Sequence, residues 1–482
     1  MTTPDELDRI ALRAERAAAA SAVAEDGERA HWLEAVAEEL DAHAEELVSI
    51  GREETHLPEA RLGGEVARTT GQLRMFAQVV REGSYREAIL DNADPLATPP
   101  KPDLRRMLRP LGPVAVFSAS NFPFAFSVAG GDTASALAVG CPVVLKAHPG
   151  HERLSWRTAE LVERALLRAG APDGVFAMVT GREAGIRLVQ HPAITAVGFT
   201  GSMTGGRALF ALAAGRPDPI PFYGELGSLN PVVITPGAMA ARGPGLAQEL
   251  AASFTLGAGQ FCTKPGVVFI PAGGDFPERV ATSSAGVEAV PMLLERIAES
   301  FSAGLRTLAA QEEVRVVGGP IDQDAAASGA APVVLATDSM TLRRFADELL
   351  VECFGPVTLL VSYRDHAELL SALKLMPGSL TATLHAQPGE EVIDLVDLLT
   401  GIAGRVLFAG WPTGVAVGWA QHHGGPWPST TSIFTSVGAT AVRRFQRPVV
   451  YQDAPEELLP PALRDGNPLG IPRREDGVLL IP

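Results

Sequence analysis

Cysteine is scarce in this chain, with three residues in 482, at positions 141, 262 and 353. An odd count cannot close into a disulfide framework, and the spacing matches no zinc pattern. A reducing cytoplasm is therefore the expected compartment, and no metal is expected. Basic charge is short as well, since 40 Lys and Arg face 56 Asp and Glu for a formal net charge of −16. That balance argues against a nucleic-acid partner, which needs a basic face for its phosphates. Long hydrophobic runs are missing. The one uncharged stretch of near-spanning length, Leu111 to Gly131, contains Pro113, Pro123, Asn121 and three serines. It reads as a buried strand, a loop and a helix start, so no membrane partner is expected. The opening, MTTPDELDRIALRAERAAAA, carries acids early and no continuous apolar segment, unlike a signal peptide. A GxGxxG fingerprint after a strand is absent too, so a dinucleotide would need another cradle.

What is present changes in texture along the chain. Residues 4 to about 85 place Ala, Glu, Leu and Arg at helical spacing with few breakers. From about 110, short apolar runs alternate with amphipathic segments: PVAVFSA, PVVLKA, VFAMVTG and AVGFTG read as strands. DTASALAVG, ERLSWRTAELVERALLRAG, EAGIRLVQ and MTGGRALFALAAG read as the helices between them. Regular alternation of this kind predicts a parallel, doubly wound sheet. A second stretch, about 229 to 410, repeats the pattern with strands PVVITPG, GVVFIPAG, PVTLLVSY, LTATLHA and GRVLFAG. VPMLLERIAESFSAGL and EVIDLVDLLTGIAG read as its helices. The tail from Trp411 is rich in Pro and Gly and too irregular for an independent domain.

Four separated stretches could carry chemistry: SASNFPF with Asn121, FYGELGSLNP with Glu225, GAGQFCTKPG with Cys262, and VECFGPV with Glu352. Singly, each has a plain structural explanation. A free Cys is most often a buried, inert hydrophobe, and Asn-Phe-Pro is an ordinary turn signal. Together, in this order and spacing, they resemble the aldehyde dehydrogenase superfamily over nearly the whole chain. NFPFAFSVAGGDTASALAVGCPVVLKAHPGH and GWPTGV resemble most the α-ketoglutaric semialdehyde (2,5-dioxovalerate) dehydrogenase branch, which also resembles some NADP-linked fatty aldehyde dehydrogenases.

The resemblance implies two doubly wound, Rossmann-like α/β domains and a small oligomerisation element. Residues 1–228 would bind the cofactor and include an oligomerisation strand near 101–110. Residues 229–410 would form the catalytic domain, and 411–482 would return to the cofactor domain and the oligomer interface. Oxidising an aldehyde by hydride transfer needs a tetrahedral adduct that can expel hydride, and a thiolate adding to the carbonyl supplies one. Cys262 matches that nucleophile. Asn121 and the Cys262 N–H match the donors for the oxyanion, and Glu225 matches the base for thioester hydrolysis. The glycines around Cys262 would allow close approach to the sulfur.

For the cofactor, the loop FTGSMTGG runs from a strand into a helix, where Gly201 and Ser202 could receive a pyrophosphate. Lys146 matches a ribose-contacting lysine, Glu352 an acid for the nicotinamide ribose, and Phe354 a neighbour of the nicotinamide. NAD-selective relatives often place Glu three residues after that lysine; here Pro149 stands there, so no carboxylate repels a 2′-phosphate. NADP is expected to be preferred, with NAD usable, and with His148 or His151 near the phosphate. Ala129 and Gly130 stand where many relatives carry Trp-Lys, which would widen the substrate entrance. Ala409 stands where the branch often has Asn, and Ser228 replaces a glycine. Cys141 and Cys353 read as packing, and the pair His422–His423 lacks a third ligand at metal spacing. The expected reaction is NAD(P)-dependent oxidation of a small aldehyde, α-ketoglutaric semialdehyde first, by a homodimer or homotetramer. The alternatives are a medium- or long-chain fatty aldehyde as substrate, and a cysteine esterase or acyltransferase activated by His.

Overall fold

The computed structural model describes residues 1–482. It is an α/β structure with three sheets. The N-terminal region is helical, as its spacing predicts: Pro4–Val23, Asp26–Ala42, Ala44–Thr55 and Glu59–Glu82. The first of these opens on a capping box, in which Thr3 accepts from the Glu6 N–H and the Glu6 side chain accepts from the Thr3 N–H. These helices bury Leu33, Leu47, Leu73 and Phe76 in the largest apolar cluster, against helices Gly131–Ala138 and Glu152–Arg168.

The first sheet is parallel and five-stranded, in the spatial order Phe176–Val179, Val143–Lys146, Val114–Phe117, Ala196–Thr200, Phe222–Glu225. Strands Val114–Phe117, Val143–Lys146 and Phe176–Val179 are almost wholly buried and rich in Val and Ala, as a sheet covered on both faces requires. The second sheet has seven strands, with Val267–Pro271 between Val357–Tyr363 and Val232–Ile234. All its pairings are parallel except that of edge strand Arg315–Gly318. Strands of the first sheet end on one side, which places Lys146 and Glu225 at the same edge, while the Cys262 loop leads into strand Val267–Pro271 of the second sheet.

The third sheet joins distant chain segments. Leu104–Pro110 pairs antiparallel with Gln446–Gln452 and with Ile89–Asp91, which continues to Arg473–Glu475 and Val478–Leu480. The irregular tail therefore completes a sheet begun before residue 110. No helix is long and apolar enough to cross a membrane.

Several elements of the second region differ from the sequence expectation, helix Pro236–Thr255 among them. Helix Glu295–Ala309 begins five residues later than the apolar run from Val290 suggests. Leu294 is extended, at φ −149°, and the Leu293 N–H donates to Gln260 Oε1 at 3.0 Å. Strands Arg315–Gly318 and Val333–Asp338 were not anticipated. The first is a short, exposed edge strand, and short apolar runs of this kind carry no decisive period.

Candidate active site

The thiol loop follows helix Pro236–Thr255 and opens with three left-handed residues, Gly257, Ala258 and Gly259, at φ +58°, +55° and +65°. A Cβ on Gly259 would collide with the Gly355 carbonyl, which fixes the loop against the segment carrying Glu352 and Phe354. These glycines therefore serve the path and packing of the chain, a different task from admitting ligands to the sulfur. Asn230 pins the loop from the other side. Its Nδ2 donates to the Cys262 and Lys264 carbonyls at 2.8 and 2.9 Å, while its Oδ1 accepts from Ser228 Oγ at 2.7 Å.

Cys262 is half-buried, and Glu225 is buried at the end of its strand. Between them stands a residue not anticipated as a partner, His423. Its Nε2 lies 2.9 Å from Glu225 Oε1 and 3.7 Å from Cys262 Sγ. Ser436 Oγ donates to Glu225 Oε2 at 2.8 Å and so occupies the second carboxylate oxygen. Burial alone would push Glu225 up. His423, Ser436 and the Cys262 thiol outweigh it and hold the carboxyl below its ordinary range. The thiol is shifted the other way: burial, then the Glu225 charge, raise Cys262 well above the usual cysteine value. The site thus pairs a protonated thiol with an ionised carboxylate.

The donor atoms of Glu225, Cys262 and His423 lie within 4.8 Å of one another. The spacing argument that His423 has no partner ligands fails here, because 161 residues separate it from Cys262 and only the fold closes that distance. With Nε2 facing the carboxylate, the set forms a proton network around the thiol.

Asn121 is buried beside the loop, and its Nδ2 donates to the Gln260 carbonyl at 2.9 Å, which leaves a second N–H on the same amide. The backbone N–H of Cys262 has no acceptor in the protein. Two donors beside a thiol without protein acceptors are what a developing oxyanion would need.

On the cofactor side, Lys146 ends its strand half-buried and in no ion pair, with its ammonium lowered by burial and then by Arg296. His148 accepts from the Gly150 N–H through Nδ1 at 3.1 Å, so its Nε2 carries the hydrogen. Arg296 Nη2 lies 3.3 Å from that Nε2, and its charge reaches Lys146, so the guanidinium, the imidazole and the ammonium are neighbours. Burial, then His151, Arg296 and Lys146, push His148 down to about 2, so the ring is neutral. His151 is committed elsewhere, its Nε2 to the Ala119 carbonyl at 3.0 Å and its Nδ1 to Ser155 at 3.1 Å. It does not join the phosphate group of residues. Pro149 starts the short turn that aims His148. Gly201 and Ser202 are exposed, and Ser202 caps helix Met203–Ala214 by accepting from the Gly205 N–H. That first turn has no acidic residue, so its positive end is uncompensated. Glu352 lies beside Gly227, whose Cβ would sit 2.5 Å from its Oε2, and burial raises its carboxyl to about 7. Phe354 is half-buried next to it.

The model of the aldehyde dehydrogenase family matches residues 1–445. The chain belongs to that family. It is similar to alpha-ketoglutaric semialdehyde dehydrogenase 2 of Azospirillum brasilense, at 47% identity covering 93% of this chain and 87% of the relative. It is 43% identical to alpha-ketoglutaric semialdehyde dehydrogenase of Acinetobacter baylyi, over 99% of this chain and 92% of that one. Among solved structures, the NADP-dependent glyceraldehyde-3-phosphate dehydrogenase of Bacillus halodurans complexed with NADP aligns at TM-score 0.78 and 23% identity, covering 94% of this chain and 92% of that chain. As a member of this family, the chain is an aldehyde dehydrogenase using NAD or NADP.

Within the family frame, the departures have physical reasons. Ala129 is buried in the largest core cluster, so it does not widen an entrance. A Cβ at Gly130 would sit 2.5 Å from the Ala125 carbonyl, which leaves no room for the family's lysine. Ser228 is used: its Oγ donates to Asn230 and accepts from the Leu380 N–H at 2.9 Å. Ala409 is at φ +56°, a conformation that favours Asn. Cys141 and Cys353 are buried, and Cys353 sits in an irregular segment. Arg296 and His423 escaped the sequence reading, since neither has a local pattern; QHHGG offered only a pair of adjacent histidines.

Proposed function

We propose that the chain oxidises α-ketoglutaric semialdehyde to 2-oxoglutarate through a thiohemiacetal and then a thioester on Cys262. The chemistry rests on one observation: a protonated thiol beside an ionised carboxylate that His423 and Ser436 hold in place. The substrate rests on the two relatives at 47% and 43% identity.

Because the thiol is raised, Cys262 cannot attack as a standing thiolate. Its proton passes to Glu225 as sulfur adds to the aldehyde carbon. The oxyanion is received by the free N–H of Cys262 and the second N–H of Asn121. A bound nicotinamide dinucleotide supplies the hydride acceptor. Once the thiol proton has left for solvent, the ionised Glu225 takes a proton from the water that hydrolyses the thioester and returns it to the departing Cys262 sulfur. His423 is a positioning residue, since it fixes Glu225 and keeps it ionised while Nε2–H faces the carboxylate.

NADP is the preferred cofactor in this reading, with NAD usable. Lys146, Nε2–H of His148 and Arg296 are donors without an anion, and no carboxylate at 149 opposes a 2′-phosphate. Gly201 and Ser202 would take the pyrophosphate at their helix terminus, and Glu352 and Phe354 the nicotinamide end. Residues 1–228 serve cofactor binding and 229–410 catalysis. Residues 411–482 return to the third sheet, through which a homodimer or homotetramer forms in the cytoplasm.

A second reading, a cysteine esterase or acyltransferase, draws on the 3.7 Å approach of His423 to Sγ. An aldehyde panel with both cofactors separates the readings. The expected result is cofactor reduction with the oxo acid preferred. A tenfold or greater advantage in kcat/KM for hexanal or decanal moves the substrate to the fatty aldehydes, and ester hydrolysis without reduction of cofactor favours the hydrolase.

A further inference from the structure

Three guanidinium groups stand near the thiol, and they differ in what they are bonded to. Arg405 is committed to two carbonyls, donating to Gly414 at 2.7 Å and Pro412 at 2.8 Å. Arg61 donates through Nη2 to the Asn121 carbonyl at 2.7 Å and lies over the Phe261 ring, 4.8 Å from its centroid. Arg68 has no hydrogen bond and no ion pair. Its Nε and Nη2 are buried without a partner, and these two nitrogens form the side-on fork that a carboxylate fits bidentately.

The surroundings hold that fork in place. Arg68 lies on helix Glu59–Glu82, two turns after Arg61, with its guanidinium over Phe122 and Phe126 at 5.9 and 5.7 Å. Phe122 follows Asn121 directly, and Phe122 packs edge-on against Phe261, the residue before Cys262, at 5.5 Å. Glu65, three residues earlier on the helix, acts on Arg68 through its charge but makes no ion pair with it. Its Oε1 accepts from the Phe124 and Ala125 N–H groups at 2.8 and 3.0 Å, and its Oε2 is unpartnered. Phe126, under the Arg68 guanidinium, also packs against the His423 ring with centroids 6.3 Å apart, which brings Arg68 to the residues around the thiol. A desolvated guanidinium with no ion-pair partner is costly, and an anionic ligand would relieve that cost.

We propose that Arg68 anchors the distal carboxylate of the ω-oxo acid substrate through Nε–H and Nη2–H, while Arg61 holds the Asn121 backbone beside it. This rests on the substrate reading above and gives it a residue. Selectivity for an oxo acid over an uncharged aldehyde of equal length would then come from one guanidinium, since an aldehyde lacking the carboxylate leaves the fork unpaired.

The test is a ratio measured within each preparation, so that partial misfolding cancels. Wild type, Arg68→Met and Arg68→Lys are assayed with α-ketoglutaric semialdehyde and with pentanal. The oxo-acid to pentanal ratio of kcat/KM should fall about 100-fold in Arg68→Met, mainly through KM for the oxo acid, with partial rescue in Arg68→Lys. An unchanged ratio in Arg68→Met overturns the anchor and leaves the substrate reading intact. If wild type prefers pentanal tenfold or more, the substrate reading fails, and glutarate then tests the anchor alone. Competitive inhibition by glutarate that disappears in Arg68→Met supports a carboxylate fork; inhibition that is absent in wild type or unchanged in the variant overturns it.

Discussion

The segment around Cys262 and the segment around Cys353 lie against each other, and each carries a buried or half-buried thiol near a glutamate. Burial raises both thiols, Cys353 to about 11 and Cys262 well above the usual value. Their neighbours differ. Cys353 Sγ faces only the Phe301 carbonyl at 3.6 Å and packs against Gly304, and the nearby Lys264 is tied to carbonyls. Cys262 faces an ionised carboxylate and an imidazole, with two N–H donors free above it. A low thiol pKa is therefore not what separates the proposed nucleophile from the packing residue. A proton acceptor within reach separates them.

The largest effect that tests this contrast comes from removing each sulfur. Cys262→Ala should lower kcat by about 10⁴-fold or more, read as cofactor reduction. Cys353→Ala should change kcat less than about threefold and cost about 1–2 kcal/mol of stability through the cavity it leaves. Comparable losses of activity in the two variants would erase the distinction.

Next in size is His423→Gln, which leaves Cys262 in place but takes away the group that keeps Glu225 ionised. Burial then dominates, so the carboxyl rises, and the acid limb of the kcat profile should move up by about one pH unit or more. The loss of activity should be largest at the acid end of the profile and shrink as pH rises. A uniform loss at every pH would assign His423 a purely structural role.

Glu352 sharpens the other half of the comparison. Its folded value of about 7 lies above the ordinary 4.5, so between these the folded chain holds a proton that the unfolded chain has lost. Stability from this group therefore falls as pH rises from about 4.5 to about 7. Glu352→Gln should remove roughly 1–3 kcal/mol of that pH-dependent loss, seen as a smaller drop in Tm between pH 5 and pH 8. The smallest effect is Ala409→Asn. Ala409 is exposed at φ +56°, so Asn should raise stability by about 0.5 kcal/mol.

Legibility in the sequence followed the range of the interactions. The βα alternation gave the strands of the parallel sheet from Val114 to Thr200, because buried strands and capped helices are encoded within ten or so residues. The start of helix Glu295–Ala309 was misplaced because a tertiary bond, Leu293 to Gln260, holds the preceding residues extended. Cys262, Glu225 and Asn121 were reached through a family resemblance, and the fold brings them together. His423, Arg296 and Arg68 were not reached. Each acts through a partner distant in sequence, and nothing in QHHGG, LLERIAES or EVARTT marks the side chain that faces a site. The expectations for Ala129 and for His151 fell for the same reason, since burial in a core and commitment to the Ala119 carbonyl are visible only in three dimensions.

The most direct measurement is single-turnover kinetics of Glu225→Gln with NADP and α-ketoglutaric semialdehyde across pH, with mass analysis of the Cys262 peptide. Without the Glu225 charge the thiol loses one cause of its raised value, so a thiolate forms unaided as pH rises. The account predicts a burst of one reduced cofactor per site that grows from neutral to alkaline pH. It also predicts a 2-oxoglutaryl group retained on Cys262 and steady-state turnover that stays about 100-fold or more below wild type. Full turnover in this variant, or a burst with no acyl group on Cys262, would contradict the pairing of Cys262 with Glu225.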